Sequence, residues 1–508
     1  MLPFCEQSPR ILIRLVGLNP SPPNLAANEA AGMGHPASVA VFPFFMKIHV
    51  ENFLHATSTG SGRKVFALTL LLLLAFASPM ASAYSVLSHE ETVDVAWSHN
   101  IVPLLLERYP NATPDELRIA HSYAYGGCII QDLGYYPFGS HEFSDLLHYV
   151  HTGQFVNNLL KDADNLNEYA FALGALAHYR GDTTGHPAVG LATAREYPQL
   201  RSRFGPFVSY YDSPKAHIRT EFGFDVVQVA QGHYVKNNYD DFIGFNVATP
   251  VLERAFKETY GVDLKTVLKH QDLAVNSYRY SVSTVIPEMT RAAVLHYSKQ
   301  IQQQVPSFDR KRFVYRVKRT DYEHEWGKKY HRPGFGAHLI EFIVRITPKV
   351  GPFSALKLEL PSAADQKTYL NSMQTTVHLF DDDLTQLKAQ SEIHGTLPLK
   401  DLDYDTGKDT RLGEYPLADQ TYAELLKAWT HQKNANIPDS LRAGMLDYYS
   451  TLKSPRRRRA YYLFHLREDR KQRQLETNLH LLRSQQLAAT NVASLASAVG
   501  TASRSTGR

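Results

Sequence analysis

Apolar residues recur at helical spacing along most of the chain, and convincing period-two alternation is scarce. Ser88-His-Glu-Glu91 has the form of a capping box and predicts a helix from about His89 through Trp97. Thr113-Pro114-Asp115-Glu116 is a second start signal, with proline at the first helical position, and apolar spacing carries that helix towards Tyr125. A loop punctuated by glycine and proline follows over residues 126–139, then a short helix over 143–149. Residues 168–179 are apolar almost all round, the pattern of a helix in the middle of a domain. Further helices are predicted over 251–260, 264–270 and 284–304. The best strand candidate, residues 339–346, reads equally well as a buried helix. From 350 to 450, helix-like segments flank a loop over 397–415 rich in Asp, Gly and Pro. The expected fold class is all-α.

Composition narrows the class without naming a function. The chain has 508 residues, 44% hydrophobic and 20% charged, with a net charge of +4, which is ordinary for a globular protein with room for two or more domains. So small a positive excess gives no argument for nucleic acid. Cys5 and Cys128 are the two cysteines, so disulfides do not support the fold once the amino-terminal segment is removed. That segment has its own pattern. Arg63 and Lys64 precede a thirteen-residue apolar run, residues 65–77, and then Ala81-Ser-Ala83, which together read as a secretory signal peptide. An uncleaved membrane anchor is the alternative, for which the run is short. Cleavage after Ala83 would expose Tyr84 as the first mature residue. Residues 1–45 lack periodicity, and a signal beginning at Met46 would make them an upstream translation artefact. The mature chain is expected to be exported to periplasm, cell surface or medium. The organisation read from these shifts is an upstream segment and signal over 1–83, a catalytic domain over 84–300, a helical accessory region over 301–453, and a basic tail over 454–508.

The candidate chemistry is concentrated in residues 175–186. His178, Asp182 and His186 stand four residues apart, so on a helix all three project from one stripe. His217 and Glu221 repeat the spacing, and Asp132 sits in the loop where its carboxylate can turn inward. Any one histidine is more often structural or exposed than a ligand. The combination carries the reading, because His and Asp on an apolar face are costly unless paired or bound to metal. Three imidazole and carboxylate ligands per ion leave an open position, the pattern of catalytic rather than structural zinc.

The ordered set His89, Asp132, His148, His178-x3-Asp182-x3-His186 and His217-x3-Glu221 resembles the zinc-dependent phospholipase C family over about residues 84–300. That family is related to the catalytic domain of glycosylphosphatidylinositol-specific phospholipase D and to the fungal single-strand nucleases. The resemblance implies three Zn2+ ions. Asp132, His148, His178 and Asp182 would hold one, and His186, His217 and Glu221 a second. The amino-terminal residue Tyr84, His89 and a bridging Asp182 would hold the third. Tyr84 replaces the family's usual tryptophan, which is tolerable because backbone atoms do the binding. The interval from Asp182 to His186 is four rather than six, closer to the phospholipase D branch. His141 competes with His148, which is preferred for the aromatic Tyr149 after it and for its place on the short helix. The implied chemistry is phosphodiester hydrolysis by water that zinc activates, with Asp132 as general base as well as ligand. A phospholipid is the expected substrate, with peripheral membrane contact. A single-strand nuclease is the alternative, and a non-catalytic exported metal-binding protein is the other. Tyr135, Tyr136, Phe138, Tyr210 and Tyr211 would hold a choline, dip into a lipid interface or stack bases, unless they are simply core packing. The run from Arg456 to Arg459 reads first as part of a solvated tail.

Overall fold

In a computed structural model of the chain, the structure describes residues 86–232, 244–309, 358–390, 395–431, 437–452 and 470–484. Tyr84, the signal segment, the 339–346 stretch and the Arg456 to Arg459 run lie outside the described residues. All that is described belongs to one unit, Leu70–Arg508.

Helix α1, Val86–Ala96, passes through a single wide turn, Trp97–Ile101, into α2, Val102–Arg108. The start expected near His89 is corrected here, because Ser88 already lies inside the helix. Its hydroxyl donates to Asp225 Oδ1 at 2.9 Å, a tertiary contact in place of a cap. Helix α3, Pro114–Gly127, starts as its sequence dictates. The Thr113 hydroxyl accepts the Glu116 N–H at 3.3 Å, and the Glu116 carboxylate accepts the Thr113 N–H at 2.8 Å. A tight helical segment, Ile130–Tyr135, follows, then α4, His141–Tyr149, and α5, Thr152–Asp162.

Helix α6, Leu166–Glu196, is 31 residues long; it joins the expected apolar stretch 168–179 to the ligand stripe of His178, Asp182 and His186 and continues beyond both. Asn165 caps it by accepting the N–H groups of Asn167 and Glu168. Pro187 lies inside it, and having no N–H leaves the Thr183 carbonyl without its helical donor. Helices α7, Pro198–Phe204, and α8, Pro214–Gln231, complete the amino-terminal half.

Next come α9, Thr249–Tyr260, α10, Leu264–Val267, and α11, Gln271–Tyr280. The single helix expected over 284–304 is divided instead into a wide turn, Ser281–Val285, then α12, Ile286–His296, and α13, Ser298–Gln304. Pro287 at the second position of α12 cannot donate to the turn before it, and that turn relaxes. Helix α14, Ala363–Ala389, is followed by a minimal antiparallel hairpin in which β1, Leu402–Asp403, pairs with β2, Lys408–Asp409. Helices α15, Pro416–His431, and α16, Asp439–Tyr448, and a helix over 470–484 end the described chain. The fold is all-α, as expected, and the hairpin is the sole β structure among the described residues.

Helix α6 is the axis of the core, and α3 and α14 pack along it. Arg180 on α6 makes two hydrogen bonds to Asp383 on α14, at 2.5 and 2.7 Å, and Arg195 pairs with Asp365 near the other end of the same helices. Tyr404, Trp429 and Met445 share one apolar cluster with Phe171 and Leu173, so residues beyond 358 are built into the same core as the amino-terminal helices. No described helix is long and apolar enough to cross a membrane.

Candidate metal centre

The site begins with the crossing of α3 over α6. Glycines face each other there. A Cβ on Gly174 would lie 2.0 Å from the Ala124 carbonyl oxygen, and one on Gly127 the same distance from that of Phe171. Without side chains the backbones meet, and the Cys128 carbonyl just after α3 accepts the Nδ1–H of His178 at 2.9 Å. The chain then turns into the segment that carries Asp132. Helix α4 delivers His148, whose Nδ1 donates to the Ser144 carbonyl at 2.8 Å. Helix α8 delivers His217 and Glu221, with His217 Nδ1 aimed at the Val208 carbonyl at 3.4 Å. A backbone acceptor at Nδ1 fixes each of these rings with the Nε2 lone pair facing inward, the arrangement of a metal-ligating histidine.

Two groups of inward atoms result. Asp132, His148, His178 and Asp182 form the first, and His186, His217 and Glu221 the second, all seven buried. Asp182 Oδ2 lies 3.0 Å from His178 Nε2, 3.3 Å from His148 Nε2 and 3.6 Å from His186 Nε2, so it borders both groups. Asp132 Oδ1 stands 3.2 Å from His148 Nε2, and Glu221 Oε1 stands 3.1 Å from His217 Nε2. His89 approaches from α1, with its Nε2 3.2 Å from Asp182 Oδ1 and its ring stacked on His178 at 4.3 Å. Of the two α4 histidines, His148 enters the first group, while His141 sits exposed at the start of the helix.

The electrostatics suit a cation. The carboxylates of Asp132, Asp182, Glu221 and Asp405 are all buried in this one region, a charge that needs protons or metal ions to balance it. His178 Nε2, His186 Nε2, Glu221 Oε1 and both Asp182 oxygens are buried with no hydrogen bond, so their lone pairs are available to a metal. In the protein alone, burial would raise the pKa of Asp182, but His178, His148 and His186 outweigh it and hold the carboxyl well below its usual range. Burial and the neighbouring His186 push His217 down to about 3, which keeps that imidazole neutral, the ligating form. Burial also lifts Glu221 well above the ordinary carboxylate value.

Aromatic residues pack beside the ligands. The Tyr135 ring lies 5.8 Å from His148 and 6.5 Å from Tyr210, and Tyr210 lies 6.1 Å from His217. Further out, Phe138 and Tyr211 are exposed, while Tyr136 is core packing. One residue escaped sequence reasoning. Asp405, in the β1–β2 turn, brings its Oδ1 to 3.3 Å from His186 Nδ1. Its only sequence signal is the Asp-Tyr-Asp-Thr-Gly turn, which has no spacing relation to the other residues.

Residues 90–269 match the family model of zinc-dependent phospholipase C. This segment belongs to that family. Every candidate from Asp132 to Glu221 lies within the phospholipase C segment, His89 stands immediately before it, and Asp405 falls far outside it. Neither the curated proteins nor the solved structures contain a significant match. A zinc-dependent phospholipase C segment and two buried His/carboxylate groups thus point to the same kind of cofactor.

Proposed function

We propose that the chain is an exported zinc-dependent phosphodiesterase that hydrolyses phospholipids in the manner of a phospholipase C. The observation that carries this reading is the pair of buried ligand groups meeting at Asp182 within the family-matching segment. Asp132, His148, His178 and Asp182 would hold one zinc, and His186, His217 and Glu221 another. His89 and Asp182, with Tyr84 as a mature amino terminus, would hold a third. When bound, zinc supplies positive charge to the phosphate oxygens and lowers the pKa of water to near neutrality.

The remaining work belongs to the side chains. Asp132, at the edge of the first group, orients the attacking water and takes its proton as general base. Backbone acceptors at Cys128, Ser144 and Val208 keep three imidazoles in the ligating tautomer. The wall of Tyr135 and Tyr210 gives a choline head group aromatic faces, and the exposed Phe138 and Tyr211 provide apolar contact for a lipid surface. Because the ligands are buried, a lipid phosphate reaches them only when side chains at this rim move aside. The signal pattern at residues 63–83 supports the export part of the proposal.

The test is hydrolysis by the purified mature chain of phosphatidylcholine vesicles, single-stranded DNA and a simple phosphodiester, before and after chelation. Release of diacylglycerol that stops with chelator and returns with zinc is the expected result. Activity confined to DNA would establish the nuclease reading instead. Hydrolysis indifferent to zinc, or absent from all three substrates, would overturn the proposal.

A further inference from the structure

The second ligand group has a carboxylate neighbour from outside the family-matching segment, and its placement is built rather than incidental. Asp405 is 1% exposed. Its Oδ2 accepts hydrogen bonds from the hydroxyls of Tyr149, at 2.9 Å, and Tyr415. The turn that carries it is docked at two points. The Tyr404 N–H donates to the His148 carbonyl at 3.1 Å. Gly407, at φ +67°, lies against the Thr183 carbonyl that Pro187 leaves without a helical donor, so close that a Cβ there would stand 2.4 Å from that oxygen. Thr183 and Pro187 flank His186 on α6, so the hairpin grips the helix around this one ligand.

We propose that Asp405 is a positioning residue of the metal centre, accepting the Nδ1–H of His186 and thereby turning His186 Nε2 towards the second zinc. His186 Nδ1 has two neighbours, His217 Nε2 at 3.0 Å and Asp405 Oδ1 at 3.3 Å. His217 directs its own Nδ1 at the Val208 carbonyl, so its Nε2 carries the lone pair that faces Glu221. A metal ion shared by His217 and Glu221 takes up that lone pair, and Asp405 is then the acceptor left for His186 Nδ1. His186 Nε2, buried and without a hydrogen bond, becomes the ligating nitrogen. His148, His178 and His217 are oriented by nearby carbonyls within the matched segment, whereas His186 depends on a carboxylate delivered by the carboxy-terminal half. Partners of this kind set ligand orientation and basicity, and losing one costs about 10–100-fold in metal affinity.

The inference rests on the zinc reading above, and its test separates the two. Zinc content and affinity of the full chain are measured by metal analysis after equilibration in graded zinc buffers. The cobalt-substituted protein gives a visible spectrum that reports ligand geometry independently of activity. Asp405→Asn, which keeps the side chain's size, should weaken one zinc equivalent by about 10–100-fold, alter the cobalt spectrum and leave the remaining zinc ions in place. A Tyr149→Phe, Tyr415→Phe double variant, which frees the carboxylate from its two hydroxyls, should weaken the same equivalent to a smaller extent and serves should the asparagine variant fold poorly. Wild-type zinc affinity and an unchanged spectrum in either folded variant would overturn the role of Asp405. Absence of zinc binding by the wild-type chain would instead overturn the functional reading on which it rests.

Discussion

Replacing Gly174 with alanine should damage both the fold and the first ligand group, because this residue marks where α3 and α6 touch. The new Cβ would lie 2.0 Å from the Ala124 oxygen, 2.8 Å from the Cys128 nitrogen and 2.9 Å from the Ala124 carbonyl carbon. All three are backbone atoms, which cannot rotate aside. Restoring the 3.4 Å of ordinary contact requires α3 to retreat by about 1.4 Å. Overpacking of this kind costs about 1–3 kcal/mol, and the better helix propensity of alanine returns up to about 1 kcal/mol. The clash should win, since no flexible group can absorb it, leaving a net loss of about 1–2 kcal/mol. In a unit as large as Leu70–Arg508 the melting temperature should fall by only about 1–3 °C. The same retreat carries the Cys128 carbonyl out of reach of His178 Nδ1, now 2.9 Å away, and should weaken zinc at the first group by about 10–100-fold. Calorimetric melting and a zinc titration check both effects. A variant with wild-type melting and wild-type zinc affinity would show that the close approach of these helices does not govern the site.

Two other perturbations separate the parts of the centre from its frame. Asp182→Asn should lower the zinc content by two equivalents, because Asp182 adjoins His178 and His148 on one side and His89 on the other, while Glu221→Gln should lower it by one; equal losses in the two variants would contradict a bridging Asp182. Glu196 provides a pH test away from the metal: burial, opposed by the hydrogen bond from Thr220 and reinforced by the nearby Asp365, pushes its carboxyl up to about 8. With the folded pKa above the unfolded value of about 4.5, the protonated group favours the fold below that pH, and the contribution is lost as pH rises towards 8. Glu196→Gln should therefore flatten the fall in melting temperature between pH 5 and 8, as thermal unfolding across that range will report.

The legible parts of this molecule were those whose partners lie nearby in sequence. His178, Asp182 and His186 could be placed on one stripe because helical spacing alone aligns them, and Thr113 announced its helix because a cap is completed within four residues. Ser88 carries the same local signature as Thr113 and misled for a physical reason: its hydroxyl is satisfied by Asp225, 137 residues away, and the helix had already begun. The continuation of α6 from His186 to Glu196 had no such signal, because Pro187 reads as a stop and yet lies inside the helix. Asp405 gave no usable signal. Its relation to His186 exists only once the carboxy-terminal hairpin has docked at Pro187, and no periodicity links two such distant positions.

The two pairings between α6 and α14 also set a timetable. Arg180 meets a partner 203 residues later in the chain, and Arg195 one that is 170 residues later. At about 5–20 residues per second, a nascent chain presents α6 for roughly 10–40 s before the acidic residues that neutralise its arginines have been made. During that interval α3 can already cover its own side of α6, but the side that α14 will cover stays open and bears two arginines without their carboxylate partners. Contacts of such long sequence separation form slowly. The ligand stripe is thus synthesised early and enclosed late, and the folding chain depends throughout the gap on whatever shields an apolar helix from its neighbours.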